Sequence, residues 1–278
     1  MPRYIDLHMH TNLSDGTSSP SELLAIVREK NLAAFAITDH DTLEGYRAVK
    51  ALLQATDPEL VTGVELSVLV GADDVHMLAY LFDPDNSDLE AALADFRVKR
   101  EKRGEEITRR LQALGLNIPF SEVLATSAGS VVGRPHIAHT MHRLRLVSGY
   151  QEAFDRYIKT GGPAYVPKVM MSPEEAIKLV HAAGGVTVLA HPFIDDMAKH
   201  VQVLAEMGLD GIEVRHSAHT ANDRNRLEKI ADRHGLLMTG GSDFHGREGR
   251  YGMIGSQKVP VTYLEKLKDK AWRTRNLN

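Results

Sequence analysis

Histidines and carboxylates recur in short motifs along this chain, and no cysteine accompanies them. His8-Met9-His10 comes first. At the end of a strand, residues i and i+2 point the same way, so both imidazoles would reach one metal ion. Asp15 follows in the turn Ser14-Asp15-Gly16, and Asp39-His40-Asp41 abruptly ends an apolar run. Glu65 lies inside Thr62-Gly63-Val64-Glu65-Leu66. A carboxylate there is costly to bury unpaired, and the adjacent motifs offer no Lys or Arg, so a different cation is needed. His76 opens the next run, His191-Pro192 closes a later one, and Asp243-Phe244-His245 follows two glycines that permit close backbone approach. Taken singly, each motif has an ordinary explanation, such as a turn aspartate or a helix cap at Asp41 or Thr42. Together they give six histidines (His8, His10, His40, His76, His191, His245) and three carboxylates (Asp15, Glu65, Asp243). Imidazole with carboxylate and no thiolate suits zinc, manganese or iron. Nine ligands exceed the roughly four to six of one ion, so two or three divalent ions are expected, with Glu65 available as a bridge.

Seven apolar runs would position these groups: Tyr4–Leu7, Ala34–Thr38, Leu60–Leu66, Val75–Phe82, Val186–Ala190, Gly211–Val214 and Leu236–Thr239. Six of the seven carry His, Asp or Glu at or near an end. Near-continuous apolar runs suit strands buried on both faces. The short turn Gly71-Ala72-Asp73-Asp74 would form a hairpin that brings Glu65 near His76, in a register the sequence leaves open. Helices between the strands carry start signals at Ser19-Pro20-Ser21-Glu22 and Ser172-Pro173-Glu174-Glu175, and stop signals at Gly208 and Gly235. This alternation predicts a (β/α) barrel or a doubly wound sheet, whose strand C-termini build the site.

Residues 88–162 break the rhythm. A long charged helix is expected over Asp88–Gly115, then shorter ones over Ser121–Thr126, Pro135–Leu144 and Tyr150–Lys159. The expected organisation is barrel (1–87), helical insertion domain capping the substrate (88–162), barrel (163–278). The mixed charges at 97–106 read as a solvated helix face.

Composition narrows the class. The chain has 278 residues, 33 basic and 37 acidic, a formal charge of −4, and 43% hydrophobic residues. Disorder is excluded by the apolar content, and a long nucleic-acid footprint is disfavoured by the charge. No apolar run approaches a membrane span and no signal peptide is visible, so a cytoplasmic protein without membrane contact is expected. No obligate protein partner is implied.

As an ordered set, His8-x-His10, Asp15-Gly16, Thr38-Asp39-His40-Asp41, Gly63-Val64-Glu65, His76, Ala190-His191-Pro192 and Gly241-Ser242-Asp243-x-His245 resemble the motifs of the PHP (polymerase and histidinol phosphatase) family. The resemblance implies a distorted (β/α)7 barrel with a trinuclear metal centre. By that analogy His8, His10, Glu65 and Asp243 hold one ion, Glu65, His76 and His191 a second, and Asp15, His40 and His245 a third. It also implies a metal-dependent phosphoesterase in which a hydroxide bridging two ions attacks phosphorus.

Gly133-Arg134-Pro135-His136-Ile137-Ala138 resembles a motif of stand-alone members that hydrolyse nucleoside 3′,5′-bisphosphates, some of which are also 5′-to-3′ exonucleases on short RNA. Independently of that likeness, Pro135 suits the first turn of a helix, whose free N–H groups attract phosphate, and Arg134 could grip phosphate with two bonds. Arg134, His136, His216 and Lys168 are therefore the substrate-binding candidates. The expected substrate is a small phosphorylated molecule, a nucleotide with two phosphates before all others. Alternatives are an exoribonuclease on short 5′-phosphorylated RNA, a histidinol-phosphate phosphatase, a metal-dependent amide hydrolase, and a non-catalytic module serving a polymerase.

Overall fold

The structure, a computed structural model, describes residues 4–127, 131–168, 170–246 and 252–277. The described residues contain nine strands in two sheets. In the first, β1 (Tyr4–Asp6), β2 (Ala34–Ala36) and β3 (Glu59–Val61) run parallel in the order β3-β2-β1, and β9 (Val259–Pro260) adds antiparallel to β1. In the second, β4 (Gly63–Val70), β5 (Asp73–Tyr80), β6 (Val186–Leu189), β7 (Gly211–Arg215) and β8 (Leu237–Gly240) pair in sequence order. The β4-β5 and β5-β6 pairs are antiparallel; β6, β7 and β8 are parallel.

Two expectations change here. The single strand over Leu60–Leu66 is two strands, one in each sheet, because the chain switches sheets at Thr62. The seven-stranded barrel is not one closed sheet among the described residues. The ladders of the first sheet are only two or three residue pairs long, and isolated bridges join the sheets where their strands run out: His40 with Glu65, and Met9 with Phe244. One apolar core still lies between the sheets. Ile5, Leu7, Ala34, Ala36 and Val61 from the first meet Leu78, Tyr80, Val186 and Val188 from the second.

The hairpin shows why the polar residues face inward. Val64, Leu66, Val68, Val75, Met77 and Ala79 join one buried core, and strand alternation then turns Glu65, Ser67 and His76 to the opposite face. The register sets Ser67 opposite His76, which makes Glu65 and His76 diagonal neighbours.

The helix signals hold. Ser19 starts α1 (Pro20–Glu29) and Ser172 starts α7 (Pro173–Ala182), each with a complete capping box. Gly235 ends α9 (Ala221–His234) at φ 65°, and Gly208, after α8 (Val201–Glu206), has φ 103°. Between β5 and β6 stand α3 (Ser87–Ala113), α4 (Phe120–Ser127), α5 (Arg134–Arg143) and α6 (Tyr150–Ala153), the last continued by a wide turn over Phe154–Ile158. These helices share a core of their own, including Ile107, Leu111, Val123, Ile137, Met141 and Ile158. The charged run on α3 is not wholly a solvated face. Arg100 turns inward to Asp41 at 3.4 Å, and Arg103 donates to the Val166 carbonyl at 2.8 Å.

Candidate metal centre and its pocket

The nine expected ligands meet in one cluster, six of them just past the C-terminal ends of strands. His8 and His10 follow β1, His40 follows β2, Glu65 and His76 lie on the hairpin, His191 follows β6, and Asp243 and His245 follow β8. Asp15 reaches in from the loop after His10. Gly241 allows the close passage of two strand ends, since a Cβ there would lie 2.3 Å from the His8 Cβ. His191 and Asp243 hold left-handed backbone angles, φ 29° and 53°. Such conformations cost about 1–3 kcal/mol each and persist where the surroundings enforce them.

Glu65 is the centre of the cluster. Its Oε2 lies 3.3 Å from His8 Nε2, 3.2 Å from His10 Nε2 and 3.4 Å from His40 Nδ1. Its Oε1 lies 3.0 Å from His76 Nδ1 and 3.3 Å from His191 Nε2. Asp243 Oδ1 stands 3.3 Å from His8 Nε2 and 3.2 Å from His10 Nε2. Asp15 faces His245 at 3.3 Å and His40 at 3.6 Å.

Burial opposes the charge on Glu65, Asp15 and Asp243, yet the surrounding imidazoles hold all three carboxyls well below their usual range. Burial also opposes charge on His10, and the Asp243 and Glu65 carboxylates overcome it, raising His10 to about 10. At His40 burial wins and lowers it to about 3. Such a set calls for added positive charge. Within the cluster, four buried ring nitrogens, both of His10, Nδ1 of His40 and Nδ1 of His191, lack a well-aligned hydrogen bond. Buried polar atoms rarely stay unsatisfied, and donors of nitrogen and oxygen only, clustered within 4.8 Å, fit divalent cations.

A layer of carboxylates lies behind these groups, and the sequence reading did not give them this part. Glu213 on β7 bonds His8 Nδ1 at 3.0 Å and accepts the His191 backbone N–H at 2.9 Å. Asp6 accepts the Ser242 and Gly255 N–H groups at 2.9 and 2.8 Å. Asp39, raised to about 6 by burial, accepts the Thr11 N–H at 2.7 Å, and Asp41 accepts the Ser67 N–H at 2.8 Å. Each fixes backbone beside a cluster residue. For Glu213 the signal existed: it is a carboxylate in an apolar run, as Glu65 is.

The cluster opens into a cavity of about 690 Å³ lined also by Arg103, Arg134, Tyr165 and Lys168. Arg134 begins α5, and its guanidinium lies 5.9 Å from the centre of the Phe154 ring. Lys168 pairs with Asp74 at 3.1 Å and is lowered by burial and by Arg100. Arg103 is pushed down to about 10 by burial and by neighbouring Arg134 and Arg100. Two substrate candidates stand beside the cluster and not in the cavity lining. His136 Nδ1 accepts the Gly133 N–H at 3.1 Å and closes the start of its own helix, while the ring meets the Ser14 backbone next to Asp15. His216 is fully buried behind Asp243, with its Nε2 3.2 Å from Oδ2.

Residues 6–166 match the PHP domain family. A Haemophilus influenzae protein named 5′-3′ exoribonuclease is 32% identical over 88% of this chain and 91% of its own length. The chain belongs to the PHP family. A Chromobacterium violaceum 3′,5′-nucleoside bisphosphate phosphatase is also 32% identical, over 88% of this chain and 89% of its own. A solved Bifidobacterium adolescentis structure, described as a metal-dependent phosphoesterase, superposes with a TM-score of 0.86 at 31% identity, covering 97% of this chain and 98% of that one. This PHP protein is a metal-dependent phosphoesterase, and its histidine–carboxylate clusters suit divalent ions. No helix among its described residues is long and apolar enough to cross a membrane.

Proposed function

We propose that this PHP protein removes a phosphate from nucleoside 3′,5′-bisphosphates. The observation that carries the reading is a single cavity in which the metal-competent floor meets three crowded cations, Arg103, Arg134 and Lys168. A simple monoester needs the floor alone, whereas a second, uncleaved phosphate accounts for the cations. The name of the Chromobacterium relative supports the same substrate class.

In this proposal His8, His10, Glu65 and Asp243 hold one ion, Glu65, His76 and His191 a second, and Asp15, His40 and His245 a third, with manganese, zinc and iron all suited to the donors. Bound divalent ions supply Lewis-acid polarisation of the phosphoryl group and a nucleophile at neutral pH. The chain's own residues bind and orient. Arg134 offers its planar fork to the uncleaved phosphate, and remote binding energy becomes alignment at the reacting one. Lys168 and Arg103 add neutralising charge, and Leu69, Met170, Ile194 and Met197 give the nucleoside an apolar lining. Water adds to phosphorus, the phosphorus–ester oxygen bond breaks, and the leaving oxygen takes a proton. Residues 88–162 act as the capping domain, and the two sheets together act as a distorted barrel.

The test is phosphate release by the manganese-loaded protein from adenosine 3′,5′-bisphosphate, AMP, histidinol phosphate and a 5′-phosphorylated RNA trimer. The bisphosphate is expected to be the best substrate. Faster attack on the trimer would replace this reading with that of an exoribonuclease, and inertness toward all four would end both.

A further inference from the structure

Glu213 is wholly buried on β7 and pairs with His8, with a His216 ring nitrogen also within 4.8 Å. Its two oxygens have different tasks. Oε1 lies 3.0 Å from His8 Nδ1, while Oε2 accepts the His191 backbone N–H at 2.9 Å. Strand pairing makes this possible, because Leu189 of β6 is the register partner of Ile212 of β7 and brings Glu213 beside the residues just past β6. We infer that Glu213 is a positioning residue that fixes the metal-binding tautomer of His8 and the seat of His191 together.

A carboxylate facing Nδ1 makes that nitrogen the donor, so the Nε2 lone pair is left to face the Glu65 and Asp243 oxygens 3.3 Å away. A partner on the far nitrogen is how proteins orient and strengthen an imidazole ligand. At His191 the same carboxylate holds a backbone with φ 29°, which a side-chain-bearing residue adopts reluctantly. His8 and His191 fall in different ligand groups of the proposed centre. One buried carboxylate therefore ties two of those groups together.

Glutamine cannot replace it. If its oxygen keeps the His191 N–H, its NH2 faces His8 Nδ1 and forces the proton onto Nε2. If it is turned round, two donors confront each other at His191. Aspartate is one methylene short of spanning both.

This inference rests on the metal-centre reading, and the experiment separates the two. Wild type, Glu213→Gln and Glu213→Asp are loaded with Mn2+ or Co2+. Ions per chain, metal affinity and the visible cobalt spectrum are then measured, with circular dichroism as the check on folding. The expected result is folded Glu213→Gln that loses at least one ion per chain or binds about 10–100-fold more weakly, with an altered cobalt spectrum and a milder loss in Glu213→Asp. A folded Glu213→Gln with wild-type stoichiometry, affinity and spectrum overturns the inference, whereas wild type that binds no metal overturns the centre itself. Imidazole 15N NMR of the zinc-loaded wild type needs no variant. His8 should carry its proton on Nδ1 and ligate through Nε2, and the reverse assignment sinks the inference.

Discussion

The floor and the wall of the cavity are built differently. On the floor, six of the nine cluster residues follow a strand end, and ladders, bridges and buried carboxylates hold the backbone beside several of them. On the wall, Arg103 and Arg134 hang from helices whose core is largely their own, although the start of α3 packs in the hairpin's core, and Lys168 follows on the returning chain. In the proposed function the floor carries a chemistry that tolerates little displacement, so redundancy suits it. The wall would carry recognition, which could change without dismantling the reaction.

This contrast can be broken experimentally. The largest expected effect is on the floor. Chelation of metal, or Glu65→Ala, should lower phosphate release at least about 1,000-fold on every substrate; a substrate-dependent loss would mean that floor and wall do not divide the work as argued. Next comes the wall's own core, where Leu111→Ala should cost about 2–5 kcal/mol of stability by opening a cavity. Denaturation should show that loss while metal content in the folded protein stays unchanged; a parallel fall in bound metal would deny the wall its independence. Arg134→Ala should cost the bisphosphate about 1.5–3 kcal/mol of transition-state binding, the worth of a charged hydrogen bond. Its AMP turnover should be nearly preserved, and an equal loss on both substrates would remove Arg134 from specificity. The smallest effect is expected at Arg103→Ala, about 3–10-fold on bisphosphate kcat/KM, because part of its donor capacity is already spent on the Val166 carbonyl.

The two regions were also unequally legible in the sequence. Floor residues betray themselves, because a polar group that ends or interrupts an apolar strand is costly unless it has work to do. That signal gave His8, His10, His40, Glu65, His191 and Asp243, and it extends to Glu213. It does not separate a group lining the cavity from one beneath it: His216, expected as a substrate contact, is buried against Asp243. Wall residues carry no such mark. Arg100 and Arg103 sit in a run of mixed charge, and only the docking of α3 shows which of them turn inward. The sheet switch at Thr62 was hidden for another reason. One apolar run serves both strands, and the periodicity does not change where the chain leaves one sheet for the other.

The pairing of β5 with β6 has a consequence for how such proteins diversify. Tyr80 and Val186 are direct register partners in an antiparallel ladder. Seen from the sheet, the whole of 81–185 is therefore the loop of a single hairpin. The entropy of closing a loop grows only slowly with its length. Its ends are tied to the sheet, since Leu89, Leu93, Ile177 and Val180 share the hairpin's core, but the stretch from α4 to α6 packs in a separate core and can be exchanged while Glu65 and His76 keep their register. The stem and the loop's anchored ends form one unit, and the separately packed middle is the part that could change substrate choice while the reaction stays fixed.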